Sequence, residues 1–124
     1  MRSAISPNDP RFSALVAALD QDDVPAAETC RRVGAAAEEI GLIRPSYQHV
    51  RRIVRVERRR RELRAEARKV LTGAVSASAA GLAPSVVLVL ERLRELQLAE
   101  ELVLQEHKAF ERRAFDRRAF VRRE

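Results

Sequence analysis

Apolar residues recur at the spacing of amphipathic helices through the first forty residues. A proline at position 10 suits the first turn of a helix, and the apolar positions after it keep the i, i+3, i+4, i+7 pattern: Phe12, Leu15, Val16 and Leu19. An acidic turn at residues 21–23 then introduces a second helix, with Pro25 in its first turn and Ile40 near its end. The pattern predicts two short helices before residue 41.

Glycine and proline positions mark the start of a third helix. Gly41 stands where the chain must reverse in a left-handed conformation, which a residue without Cβ adopts at little cost. Pro45 follows at a position that suits the first turn of the next helix. Because neither Gly nor Pro occurs from residue 46 to residue 72, this helix is predicted to extend to residue 72. The stripe that it is predicted to bury comprises Tyr47, Val50 and Val54.

The side of the third helix opposite that stripe is basic. At about 100° per residue it presents Gln48, Arg52, Arg55 and Arg59, with His49 on its flank. Residues 44–69 hold 11 Arg and Lys against 3 acidic residues, a net charge of +8, whereas the whole chain carries +6. A charge block of this size on one helix indicates a polyanionic partner.

The second half of the chain carries two further apolar faces. The later part of the third helix has a seam on nearly the opposite side, formed by Val56, Leu63, Ala67 and Val70. Residues 73–85 are small, polar or turn-forming and predict a linker, after which a fourth helix is predicted to start near Pro84 with a broad apolar face. This face packs either on the seam of the same chain, as a hairpin, or on a second copy. We expect a homodimer whose interface comprises Leu63, Val70, Val86, Leu90, Leu93, Leu96 and Val103.

Residues 33–55 combine small, turning and apolar positions in one short stretch. The small and turning positions hold Ala37 and Gly41, and the apolar positions hold Ile40, Leu42, Tyr47 and Val50. With this pattern the stretch resembles the bacterial helix-turn-helix family of DNA-binding domains. The resemblance implies that the third helix binds double-stranded DNA in the major groove, with base and phosphate contacts from Arg44, Ser46, Gln48, His49 and Arg52. The basic stretch of the same helix adds Arg51, Arg55, Arg58, Arg59 and Arg60 as expected DNA contacts.

Candidate catalytic and metal-binding chemistry is sparse. The single cysteine, Cys30, cannot form an internal disulfide and is predicted to be a small buried residue, and His49 and His107 lie too far apart for metal-ligand spacing. We find no Ser/His/Asp or Cys/His set and no glycine-rich phosphate loop. We therefore expect neither catalysis nor a cofactor. Since no apolar run approaches the roughly 20 residues of a membrane span, we expect a cytoplasmic protein without membrane contact.

The C-terminal tail repeats a five-residue unit, Ala-Phe-x-Arg-Arg, at residues 109–113, 114–118 and 119–123. Successive phenylalanines rotate by about 140° on a helix, so they cannot share one narrow stripe. Interleaved Phe and Arg suit base stacking or phosphate contact, a terminal helical extension, or docking in the groove of a protein partner.

These features predict an all-α fold in three parts. Residues 1–72 form a tri-helical helix-turn-helix DNA-binding domain with an extended basic third helix, residues 73–85 form the linker, and residues 86–124 form the amphipathic helix with its Arg/Phe-rich tail. The expected function is sequence-specific or semi-specific DNA binding, as a transcriptional regulator or DNA-organising factor. The alternative is a helical interaction protein, such as an adaptor or antitoxin-like partner, whose Arg-rich helix binds an acidic protein or RNA.

Overall fold

The computed structural model describes the backbone of residues 10–122 and the side chains of residues 10–113. It contains four helices, α1 (Pro10–Leu19), α2 (Ala26–Glu39), α3 (Tyr47–Ala79) and α4 (Val86–Arg122). Since the described residues form no strand, the predicted all-α class is confirmed. They divide into two compact units. The terminal unit comprises the described residues up to Arg58 and from His107 onward, and the hairpin unit comprises Arg59–Glu106.

The terminal unit has one apolar core, which α1, α2 and the start of α3 build together. Its buried residues are Phe12, Val16, Cys30, Val33, Ala37, Leu42, Val50, Ile53 and Val54. Leu15 and Leu19 pack against this core, so the predicted apolar face of α1 is confirmed. Cys30 is also buried as predicted.

The buried stripe of α3 differs from the predicted one. Tyr47 is 50% exposed, and Ile53, which the prediction omitted, is buried between Val50 and Val54 in sequence. Tyr47 is the first residue of the helix, where its side chain extends past the end of the core. Ile40 is likewise exposed, because it caps the C-terminus of α2 rather than lying within it. The predicted burial of Tyr47 and Ile40 is therefore wrong.

Gly41 ends α2 in the left-handed conformation that the sequence predicts, with φ of +81°. The amide of Gly41 donates to the carbonyl of Glu38 at 3.1 Å, and the amide of Leu42 donates to the carbonyl of Ala37 at 2.8 Å. This pair of bonds is a Schellman motif, which satisfies carbonyls that the helix end leaves without partners. Since Leu42 is also buried, the motif fixes the direction in which the chain leaves α2.

The ends of α3 both differ from the prediction. Ser46 caps the helix by accepting a hydrogen bond from the amide of His49 at 3.2 Å, so α3 begins at Tyr47 and not at Pro45. At its other end α3 continues through Gly73 to Ala79, so the predicted linker 73–85 is helical over its first half. A second Schellman motif at Gly81, with φ of +79°, ends the helix.

A buried carboxylate joins the first three helices. The side chain of Asp20, directly after α1, accepts a hydrogen bond from Thr29 Oγ1 of α2 at 2.7 Å. Arg58 of α3 donates to the same carboxylate from Nε at 3.0 Å and from Nη2 at 2.9 Å, and Nη2 also donates to the carbonyl of Val24 at 2.6 Å. A bidentate pair of this kind defines both the distance and the orientation of its partners. We call Asp20, Thr29 and Arg58 the anchor.

The hairpin unit pairs the later part of α3 with the earlier part of α4. Leu63 and Leu96 are its buried residues, and both are covered within a single chain. Glu100 accepts from Arg60 at 3.2 Å and from Arg64 at 3.0 Å, while Arg92 donates to Glu66 at 3.2 Å. The two segments therefore run antiparallel. The hairpin itself covers Leu63 and Leu96, which were predicted to lie in a dimer interface.

The remaining residues of the predicted dimer interface fall into two groups. Val70, Leu93 and Val103 are half-buried within the described chain, whereas Val86 and Leu90 are exposed.

The anchor predicts a large effect for Asp20→Ala. The variant leaves the half-buried Arg58 without its carboxylate, which should lower the free energy of unfolding by about 3 kcal/mol. Arg59→Ala is the matched control, since Arg59 pairs with an exposed glutamate three residues away, and it should change that free energy by less than about 0.5 kcal/mol. Urea denaturation followed by circular dichroism measures both. Equal effects of the two variants would contradict the anchoring role of Asp20.

The glycine that follows α2 and the glycine within α3 predict effects of opposite sign. Gly41→Ala should destabilise the protein by about 1 kcal/mol, because alanine is strained at a positive φ even though its Cβ would meet nothing within 4 Å. Gly73→Ala, within α3 and equally free of contacts, should stabilise it by about 0.5 to 1 kcal/mol. Thermal denaturation compares them. A stabilising Gly41→Ala would show that the corner does not need the left-handed conformation.

Candidate nucleic-acid interface

The first two turns of α3 carry an exposed basic surface. Tyr47, Gln48, Arg51 and Arg55 are all exposed and fall within an arc of about 100° around the helix. The loop before the helix adds two exposed residues, Arg44 and the capping Ser46. We call these six residues the basic face. It contains three arginines and no acidic residue.

Two arginines of the basic face are available to a ligand. Neither Arg51 nor Arg55 forms a salt bridge or side-chain hydrogen bond with another described residue. Among the described arginines that do form salt bridges are Arg31, Arg32, Arg44, Arg58, Arg59, Arg60, Arg64 and Arg92. Arg51 and Arg55 could therefore bind an anion without first breaking an ion pair.

The side chain of Arg44, a member of the basic face, lies against α2. Its guanidinium lies over Gly34, where an added Cβ would come within 2.6 Å of Arg44 Nε. The same side chain pairs with Glu38 at 3.4 Å, with both groups about half exposed. Gly34 therefore provides the close approach that holds Arg44 beside the start of α3. An exposed pair of this kind contributes little stability and exchanges partners readily.

The N-terminus of α3 adds its own positive potential. The first amides of a helix lack partners within it and form the positive end of the helix dipole. Ser46 satisfies the amide of His49, and the remaining first-turn amides lie at the end of the basic face. Helix termini of this type bind phosphate groups.

Three further arginines that were predicted to bind DNA, in the later turns of α3, also have carboxylate partners. Arg58 belongs to the anchor, where it is largely buried. Arg59 pairs with Glu62 at 3.2 Å, and Arg60 pairs with Glu100 at 3.2 Å. Nε and Nη2 of Arg58 hold α3 to the end of α1, so Arg58 would have to leave the anchor to contact DNA. Arg59 and Arg60 would each have to exchange a carboxylate for a phosphate.

The flank of α3 next to the basic face is covered by α4. The guanidinium carbon of Arg52 lies 3.0 Å from the centre of the Phe110 ring, and His49 Nδ1 lies 3.9 Å from Glu111 Oε1. His49 also meets the ring of Phe12 edge-on at 6.1 Å between centroids. His49 and Arg52 were predicted to contact DNA, but in this conformation α4 occupies the space in front of them. Contact of His49 and Arg52 with DNA therefore stays a prediction.

His49, His107 and Glu111 form a largely buried cluster beside Arg52, which we call the His–Glu cluster. Neutral His107 can donate from Nε2 to Glu111 Oε1 at 3.0 Å, and the side chains of the three residues are 9–14% exposed. Burial lowers the pKa of His107, and electrostatic interactions with Arg52 and His49 lower it further. Burial also raises the pKa of Glu111, although Arg52 opposes this shift. Both groups are therefore shifted toward their uncharged forms.

Sequence reasoning missed the contribution of α4 to this site. His107 and Glu111 stand at i and i+4, the spacing that places two side chains together on a helix, and this signal could have identified them as a pair. Phe110 belongs to the first Ala-Phe-x-Arg-Arg unit, so part of that repeat serves to cover Arg52. The side chains of the second and third units lie outside the described residues.

Comparison of the chain with models of known protein families, with curated proteins and with solved structures finds no match. Among the described residues, no three His, Cys, Asp or Glu side chains are arranged so that they could hold a metal ion. No described helix has both the length and the apolar composition needed to cross a membrane.

The His–Glu cluster predicts a pH dependence that His107 controls. A histidine whose pKa is lowered on folding contributes stability above its unfolded value of about 6.5, and this stability is lost as the pH falls from there through the folded pKa. Glu111, whose pKa is raised, acts in the opposite direction closer to its ordinary value of about 4.5. The free energy of unfolding should therefore fall between about pH 7.5 and about pH 5.5.

His107→Gln should remove most of this fall, because a neutral amide can donate to Glu111 but cannot gain a proton. Lys108→Gln, at the exposed neighbouring position, is the control and should keep the wild-type dependence. Urea denaturation at the two pH values measures the effect. The same pH dependence in both variants would show that His107 does not titrate in this way.

Proposed function

We propose that the protein binds double-stranded DNA through the basic face of α3. The observation that carries the proposal is the juxtaposition of Arg51 and Arg55, neither in a salt bridge, with exposed Gln48 and Tyr47 at the start of a helix that follows a glycine corner. An α-helix fits the B-DNA major groove, which is about 12 Å wide, and its first turns are the part that reaches the bases.

The residue types on the basic face suit both kinds of DNA contact. The amide of Gln48 can donate to and accept from adenine, and an arginine can donate two hydrogen bonds to guanine. Ser46, Arg44 and the helix N-terminus suit phosphate oxygens, which position the helix without reading sequence. Arg51 and Arg55 lie one turn apart, and they take the role that sequence reasoning gave to Arg52, since Phe110 covers that residue.

The proposal predicts that two variants of the basic face weaken DNA binding in different ways. Gln48→Ala should lose one base contact, which costs roughly 1 to 3 kcal/mol on the preferred sequence and relaxes the preference at one position. Arg55→Ala, where the arginine meets phosphate, should weaken binding to all duplexes alike and reduce the salt slope by about one. Arg68→Ala is the matched control, because Arg68 is an exposed arginine of the same helix outside the basic face and should leave binding unchanged.

Selection of bound sequences from a random duplex pool identifies the preferred site, and titrations at two salt concentrations then compare the variants on that site and on random duplex. An enriched motif that Gln48→Ala weakens supports the proposal. Equal binding to random duplex, single-stranded RNA and heparin, with Arg68→Ala as harmful as Arg55→Ala, would contradict it. That result would favour a helical interaction protein whose arginines bind an acidic partner or RNA.

A further inference from the structure

The turn of the hairpin unit is free of charge over a long stretch. Residues 70–90, which include the end of α3, the turn and the start of α4, contain no Asp, Glu, Lys, Arg or His. Elsewhere the hairpin unit is rich in charge, and Arg60, Arg64 and Arg92 form ion pairs across it. The uncharged segment lies between Lys69 and Glu91 and forms the end of the hairpin at the turn. We call this segment, residues 70–90, the uncharged tip.

The uncharged tip exposes most of its large apolar side chains. The ion pair from Arg92 to Glu66 and the buried Leu63 and Leu96 set the antiparallel register of the hairpin. Extended toward the turn, that register brings the last turns of α3 level with the first turns of α4. The residues exposed there, by 48–69%, are Leu71, Val75, Leu82, Val86, Val87, Leu88 and Leu90.

An apolar surface of this extent differs from single exposed leucines. Four of the first five residues of α4 are Val or Leu side chains that are at least 59% exposed, so this end of the helix presents apolar groups in several directions. Seven such side chains expose on the order of several hundred Å², which is comparable with the roughly 800 Å² that each partner contributes to a standard protein interface. A surface of this size indicates a partner.

The absence of charge determines what kind of partner fits. A partner with charged groups would have to desolvate them against a surface that offers no counter-charge, which is unfavourable. We propose that the partner is a second copy of this chain, with the two uncharged tips packed against each other about a two-fold axis. In such an isologous contact each copy presents the same apolar surface to the other, so every chain provides a matching uncharged partner surface.

The shape of the tip is consistent with this contact. Each tip contributes the ends of two helices, so two tips form a short four-helix arrangement with a shared apolar centre. Small residues at the turn, Ala77, Ala80, Gly81 and Ala83, allow the two chains to approach closely. The proposed interface retains Val86 and Leu90 of the sequence-based dimer prediction and replaces the buried Leu63 and Leu96 with the exposed residues of the tip.

Sedimentation velocity over a range of protein concentrations tests the proposal on the full chain. The wild type should sediment as a dimer. The double variant Val87→Glu with Leu90→Glu should sediment as a monomer, with a dimer dissociation constant raised at least about a hundredfold, because each tip would bring two charges into the contact. The matched control is Leu98→Glu with Leu102→Glu, two leucines of the same helix that are similarly exposed but lie outside the tip. It should remain dimeric.

Several outcomes would overturn the proposal. These are a wild-type monomer at all accessible concentrations, a tip variant that dimerises like the wild type, or a control variant that dissociates as readily as the tip variant. A wild-type monomer that binds vesicles of neutral phosphatidylcholine, with binding lost in the tip variant, would assign the tip to a lipid surface instead. Unchanged helical circular dichroism confirms that the exposed substitutions leave the fold intact.

The oligomeric result is separable from DNA binding. The tip variant retains the whole basic face, so it should still bind a single duplex site and lose only the gain that comes from linking two faces. Failure to dimerise therefore contradicts the tip contact alone, and failure of every variant to bind DNA contradicts the proposed function alone.

Discussion

The buried carboxylate of Asp20 sets the arrangement on which the terminal unit depends. A charge removed from water is tolerated only when it is paired and hydrogen-bonded, and Asp20 meets this requirement through Thr29 and the bidentate Arg58. Because Arg58 must point to the end of α1, the rotation of α3 about its axis is fixed. Arg51 lies two turns before Arg58 and almost above it, so the anchor also determines the direction in which the basic face points.

Local chemistry made much of the fold predictable from sequence. The Schellman motif at Gly41 depends on one residue without Cβ and one apolar residue after it, and both are visible in the sequence. Periodicity was less informative at helix ends, because the spacing of Tyr47 fits the buried stripe although its position in the first turn leaves it exposed. Gly73 shows the opposite case. Its cost of about 1 kcal/mol in a helix does not end α3, which continues to Ala79.

The sequence predicts the positive charge of the candidate site, but it does not predict which arginines pair with groups on other helices. Sequence alone identifies a dense run of arginines in α3, yet it does not show that Arg58 is used by Asp20, 38 residues earlier, or Arg60 by Glu100, 40 residues later. The same limitation explains Arg52, whose ring partner Phe110 lies on a different helix. Long-range pairing depends on how helices pack, and one helix face can satisfy several packings equally well.

Pairing, rather than the number of arginines, decides what the basic surface can bind. An arginine that already holds a carboxylate gains only the difference between two ion pairs when it meets a phosphate, whereas Arg51 and Arg55 gain the full interaction. The anchor occupies the turn of α3 that follows the basic face, and the His–Glu cluster, with Phe110 over Arg52, lies on its flank. What remains exposed is a strip along the first turns of α3.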